Sequence, residues 1–129
     1  MPKPLALESP VALLTYPRAR RLRKHSAYQA CYDFGRKYHT AHFLVFVLAS
    51  ASESRPIRTG VAVSKKIGKA VVRNRLKRVL REFFRRRVPR ALLSLDIAVV
   101  VKRQVPVHLD LRQTEEELGP LFERIFMSL

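Results

Sequence analysis

Between Ala70 and Val88 the chain reads AVVRNRLKRVLREFFRRRV, with eight Arg or Lys residues against a single acid, Glu82. Val72, Leu76, Val79, Leu80, Phe83 and Phe84 recur in it at three and four residues, the period of a helix with one buried stripe. At about 100° per residue these six share one arc, and Asn74, Lys77, Arg78, Arg81 and Arg85 share the opposite one, flanked by Arg75 and Arg86. The stretch therefore predicts a helix that docks on a core and turns a cationic face outward. A solvated face normally mixes signs and carries acid–base pairs at i,i+4. Here the pattern offers one, Arg78 with Glu82.

The rest of the chain shares this charge. Lys and Arg number 26 and Asp and Glu 10, giving +16 and a pI near 11.2. Fourteen of the basic residues fall between Arg55 and Arg90. A domain so charged repels itself and calls for a polyanionic partner. The preference for Arg over Lys on the helix favours phosphate, which a guanidinium grips with two parallel bonds. Asn74 can donate to a phosphate or ribose and accept from a 2′-OH. A membrane surface would need the apolar stripe free for lipid, whereas neighbouring strands need it as cover. The longest apolar runs, 43–49 and 97–101, are too short to span a bilayer.

At 129 residues, 47% of them hydrophobic, the chain suits one domain with a real core. Residues 1–17 carry four of the eight prolines and read as a flexible extension; residues 18–129 read as a single α/β domain that binds a polyanion. The extension makes a poor signal peptide, and the lone Cys31 excludes an internal disulfide or a cysteine-based zinc site. A reducing, cytoplasmic setting is expected.

Ser26 is the expected N-cap of a first helix reaching Phe34 and stopped by Gly35, with Ala27, Ala30, Cys31 and Phe34 on its core face. Tyr28 and Tyr32 are expected to stack along its edge. A short strand is expected over 36–40, and a central one over 43–48, apolar on both faces. Residues 50–56 read as a turn, 58–63 as a strand and 64–69 as a basic loop feeding the cationic helix. Pro89 ends that helix, 96–101 form another buried strand, and a last helix runs from an Asp110 cap to about Met127. Gly119-Pro120 should kink or split it. The order α-β-β-β-α-β-α gives an α+β fold with a small sheet.

No catalytic constellation emerges. His25, His39, His42 and His108 lie at no metal-ligand or triad spacing, and Asp33, Asp96 and Asp110 read as helix surface, strand start and cap. SKKIGK, residues 64–69, lacks the glycines and the following Ser or Thr of a phosphate-binding P-loop. Tyr28, Tyr32 and Phe46 leave two readings open: core packing, or a stacking platform for single-stranded nucleic acid.

The run Gly60–Arg81, GVAVSKKIGKAVVRNRLKRVLR, resembles the signature of the bacterial ribonuclease P protein component family. The likeness centres on Arg73-Asn74-Arg75 with SKK-x-G-x-AV before it and Lys77-Arg78 after it. RLRKHSAYQACYDFGRK looks like the family's first helix and SLDIAVVVK like its last strand, so the resemblance covers about 21–102. It implies a two-layer α/β sandwich with a left-handed βαβ crossover through the basic helix. It also implies a partnership with the catalytic RNA of ribonuclease P, in which the protein subunit assists removal of the 5′ leader from precursor tRNA. Chemistry in the family belongs to the RNA and its Mg²⁺ ions, so no catalytic protein residue is expected, nor a cofactor bound by the protein alone; no residue is assigned to metal. By position, the RNA-binding region is Lys65, Lys66, Arg73, Asn74, Arg75, Lys77, Arg78 and Arg81. The cleft for the single-stranded leader is Tyr28, Tyr32, Phe46 and Ser64.

Ala27 stands where the family often has Asp, the two tyrosines where phenylalanine is common, Phe46 where Tyr is frequent, and Lys102 where Arg is usual. Stacking survives these exchanges; hydrogen bonds from that Asp or Tyr do not. A basic ribosomal protein or other structural RNA-binding protein would share the composition but has no reason to join this signature to a tyrosine cleft. An architectural DNA-binding protein would need groove-reading elements that the chain does not display.

Overall fold

The computed structural model describes residues 18–49 and 55–129. The proposed extension 1–17 and most of the 50–56 turn lie outside the described residues. Four strands, β1 (Arg36–His39), β2 (Phe43–Ala49), β3 (Arg58–Ala62) and β4 (Leu95–Val101), form one sheet in the order β1-β2-β4-β3. β2 runs antiparallel to β1 and β4, while β3 and β4 are parallel. Parallel neighbours need a crossover, and helix α2 (Ala70–Arg87) supplies it. Helices α1 (His25–Phe34) and α3 (Leu111–Met127) complete the predicted order.

Strand alternation divides the core in two. Phe43, Val45, Ile97, Val99 and Val101 pack with Leu76, Leu80, Phe83 and Phe84 of α2 and with Leu118, Leu121, Phe122 and Ile125 of α3. This is the expected sandwich of sheet and helices. Phe46 and Ala98 point to the other face, where Leu22 and Cys31 join them under α1, a smaller cover of its own. The central position of β2 explains its apolar residues on both faces.

Several local expectations are corrected. Helix α1 starts at His25, with Lys24 as an N-cap lacking a side-chain bond, so Ser26 is inside the first turn. Gly35 stops it with φ −75°, not by a left-handed turn; its hydrogen is needed because a Cβ would stand 2.5 Å from the Cys31 carbonyl oxygen. Phe34 is 79% exposed and takes no part in the core. Periodicity sets a residue's angle around the helix axis, whereas burial also depends on how far along the axis the sheet reaches.

Helix α3 is not split at Gly119-Pro120. Proline removes the bond to the carbonyl four residues back, here that of Glu116, and both Pro120 and Glu116 lie on the exposed face, where solvation offsets that loss. Its start is firm: Asp110 accepts from the Gln113 amide while the Gln113 side chain accepts from the Asp110 amide. Asp96 is a buried ion-pair centre rather than a simple strand start. Arg58 reaches both its oxygens at 2.9 and 2.7 Å, and Arg55 approaches at 2.9 Å.

Candidate nucleic-acid interface

Helix α2 carries its cations in two different states. Glu82 bonds Arg85 three residues on and Arg86 four residues on, not Arg78 four residues back. An acid N-terminal to its base at i,i+4 is the better orientation on a helix. The bond from Arg85, helped by Arg86, holds the Glu82 carboxyl down at about 2. Arg87 lies 3.8 Å from Glu115 of α3. The C-terminal turn is thus largely neutralised at home.

Its N-terminal part is not. Among the described residues, Lys65, Lys66, Arg78 and Arg81 are exposed and meet no carboxylate, and Asn74 is exposed beside them. Lys65 and Lys66 stand on a 3₁₀ turn, Lys65–Ile67, capped by the Ser64 hydroxyl, which accepts from the Lys66 amide at 3.1 Å. Arg73 and Arg75 spend part of their guanidinium on the fold. Arg73 Nε donates to the Gly68 carbonyl at 3.1 Å, tying the 3₁₀ turn to α2. Arg75 donates to the Val107 and His108 carbonyls at 3.1 and 3.3 Å, tying the loop after β4 to the same helix. Each guanidinium keeps further N–H donors for a ligand.

The tyrosines occupy the next groove. Tyr28 and Tyr32, both half-buried on α1, face Val61, Val63 and Val100 of the sheet side across a groove of about 510 Å³. His25, Ser64 and Lys77 also line it. The two tyrosine rings do not stack: their centroids are 6.4 Å apart and tilted by 49°. Tyr32 meets the edge of Phe46 at 5.0 Å instead. Phe46 is 9% exposed and outside the groove lining, so it supports Tyr32 from below, with Lys37 Nζ 5.8 Å from its ring centroid. Both tyrosines pack against the Leu22, Cys31 and Phe46 cluster, as the core reading expects, and both also line the groove.

Burial pushes the pKa of both phenols up, and for Tyr28 the neighbouring Tyr32 adds to this while a Val61 backbone bond and the Arg81 charge pull the other way. Such a groove offers aromatic faces, neutral hydroxyls and a lysine, the equipment for a single strand of RNA. Sequence reasoning assigned Lys77 to the helix's RNA face; the fold turns it to the tyrosines. It overlooked His25 as a groove residue, because nothing in the spacing ties His25 to Ser64.

Residues 16–126 match the family model described as Ribonuclease P. A ribonuclease P protein component of Desulfovibrio desulfuricans is 48% identical over 114 residues, 88% of either chain. One from a Geobacter species is 41% identical over 110 residues, 85% of this chain and 91% of the relative. Among solved structures, an RNase P protein from Thermotoga maritima superposes with a TM-score of 0.67 at 29% identity, covering 81% of this chain and 96% of the other. One from Staphylococcus aureus gives 0.65 at 27% identity, covering 81% and 96%.

Proposed function

The chain belongs to the ribonuclease P protein family, and from that membership we propose that it is the RNA-binding subunit of a tRNA-processing endoribonuclease. It assists a catalytic RNA in removing the 5′ leader from precursor tRNA. The RNA performs the chemistry, and this chain holds and positions. Lys65, Lys66, Arg73, Asn74, Arg75 and Arg78 contact the catalytic RNA, and Arg81 stands at the edge of that face beside Tyr28. Tyr28, Tyr32 and Ser64 receive the leader, with Phe46 behind Tyr32 and Lys77 at the junction of the two surfaces.

The observation that carries this reading is the adjacency of an aromatic groove and an unneutralised cationic helix, joined at Lys77. A ribosomal or other purely structural role explains the charge but leaves the groove without a purpose. Among the described residues, no three His, Cys, Asp or Glu side chains gather as a metal-binding set. In this reading Mg²⁺ belongs to RNA phosphates, whose mutual repulsion the cationic face of this chain screens. No described helix is long and apolar enough to cross a membrane, and the reading places the work in the cytoplasm.

Tyr32→Ala tests the groove. It should weaken binding of precursor tRNA with a leader by about 1–3 kcal/mol, the worth of one stacked base, and leave mature tRNA nearly unchanged. Equal losses for both ligands would remove the leader from this groove.

A further inference from the structure

A second, more enclosed recess of about 150 Å³ lies on the far side of Tyr28. Arg21 and Arg23 form one wall, Thr59 and Gly60 of β3 the floor, and Arg81 of α2 the other wall. The first wall is fixed in place: the Leu22 amide donates to the Thr59 carbonyl at 2.8 Å, and Arg21 bridges Thr59 in parallel fashion along the open edge of β3. Tyr28 and Val61 line both the recess and the tyrosine groove, so the two spaces share a partition.

Three arginines and no acid line this space. Arg23 and Arg81 are exposed and, among the described residues, meet no carboxylate. Glu82, next in sequence to Arg81, is turned to Arg85 and Arg86. The volume falls below the range of about 300–1,000 Å³ usual for pockets that hold organic ligands. It suits one compact anion, and forked guanidinium donors suit the oxygens of a phosphate.

We propose that this recess binds one backbone phosphate of the RNA strand whose bases lie in the neighbouring tyrosine groove, with Arg23 and Arg81 as its ligands. The proposal rests on the reading of that groove as the leader cleft. A phosphate of the catalytic RNA would satisfy the same chemistry; the partition shared with the groove favours the leader. Tyr28 then serves both spaces, its ring facing the bases and its hydroxyl end facing the phosphate.

The test uses holoenzyme reconstituted from the full chain and precursor tRNAs carrying one neutral methylphosphonate at successive leader positions. Neutralising one position should raise KM about tenfold, the cost of one charge-assisted contact. The variant Arg23→Gln/Arg81→Gln should show that raised KM with the all-phosphate leader and no further response at that position. Both residues are exposed, so the fold should persist, and a melting curve verifies it. Arg112→Gln/Arg124→Gln removes the same charge from α3 and should keep the position-specific response. A double variant that still responds like the native chain overturns the proposal. So does one that loses affinity for the catalytic RNA without altering the leader response, which would hand the recess to that RNA. A native holoenzyme that fails to cleave any precursor would instead overturn the functional reading beneath it.

Discussion

The hydroxyl end of Tyr28 lies against Gly60: a Cβ there would overlap the hydroxyl oxygen and stand 2.6 Å from Cζ and 2.9 Å from the Leu22 Cβ. The glycine is required by this close approach and not by a special backbone angle. It lets a side chain of α1 reach across to β3, and so sets the wall between groove and recess.

Gly60→Ala should therefore destabilise the chain by about 1–3 kcal/mol, the usual cost of overpacking, and loosen precursor binding more than mature tRNA binding. Tyr28→Phe in the same chain should restore only part of the stability, because Cζ and Leu22 Cβ still collide with the added methyl. Urea midpoints of the single and double variants measure this. A neutral Gly60→Ala would mean that Tyr28 moves aside freely.

Arg78 and Arg75 should behave differently although both sit on the cationic helix. Arg78→Gln should lower the salt slope of binding to the catalytic RNA by about 1 and leave stability unchanged. Arg75→Ala removes two bonds to the Val107 and His108 carbonyls, so it should also cost about 0.5–1.5 kcal/mol of stability per bond. Paired salt titrations and denaturation curves separate the two. Identical behaviour would contradict the division of labour along α2.

Arg20 is buried, with its Nη2 donating to the Val88 carbonyl at 3.0 Å and the Pro89 carbonyl at 3.2 Å. Those carbonyls end α2, where a cation is also favoured by the helix dipole. Arg20→Met keeps much of the volume and should cost about 1.5–3 kcal/mol, as expected for a charged hydrogen bond. Unchanged thermal stability would show that the α2 terminus needs no such cap.

Acid should weaken the chain partly through Glu117. Burial pushes its carboxyl up, but bonds from the Thr40 hydroxyl, the His42 amide and the His42 ring outweigh this and hold it below its ordinary 4.5. A folded-state value below the unfolded one means the unfolded chain binds more protons in that window, so stability rises with pH through it. The contribution is fully present above about 4.5 and disappears as pH falls through the folded-state value. Glu117→Gln should lower stability at pH 7 by about 1–3 kcal/mol and flatten the loss between neutral and acidic pH. A parallel pH profile for both chains would contradict it. Glu82, partly exposed on α2, should contribute far less on substitution despite its low value, because solvent screens its pairs.

Helix α2 was legible because its signal is local: six apolar residues at helical spacing fix which face is buried, and four of them, Leu76, Leu80, Phe83 and Phe84, are fully so. The double-sided apolar run of β2 likewise announced a central strand. What the sequence hid depends on contacts between distant segments. The partners of Arg75 are 32 and 33 residues away, the anchor of Arg20 is 68 away, and Asp96 meets Arg58 across 38. The exposure of Phe34 and the turn of Lys77 toward the tyrosines depend on where the sheet ends, which no helical period encodes. Glu82 is a different case: its correct partner, Arg86, was at readable spacing, and the preference for an acid N-terminal to its base decides between it and Arg78.

In the function proposed above, this chain makes a catalytic RNA effective on precursor tRNA. Reconstitution with a bacterial ribonuclease P RNA, at magnesium too low for the RNA to work alone, tests it most directly. Adding the chain should restore accurate removal of the 5′ leader, and the chain bearing Arg78→Gln with Tyr32→Ala should restore much less. Leader removal that is the same with and without the chain would contradict the account.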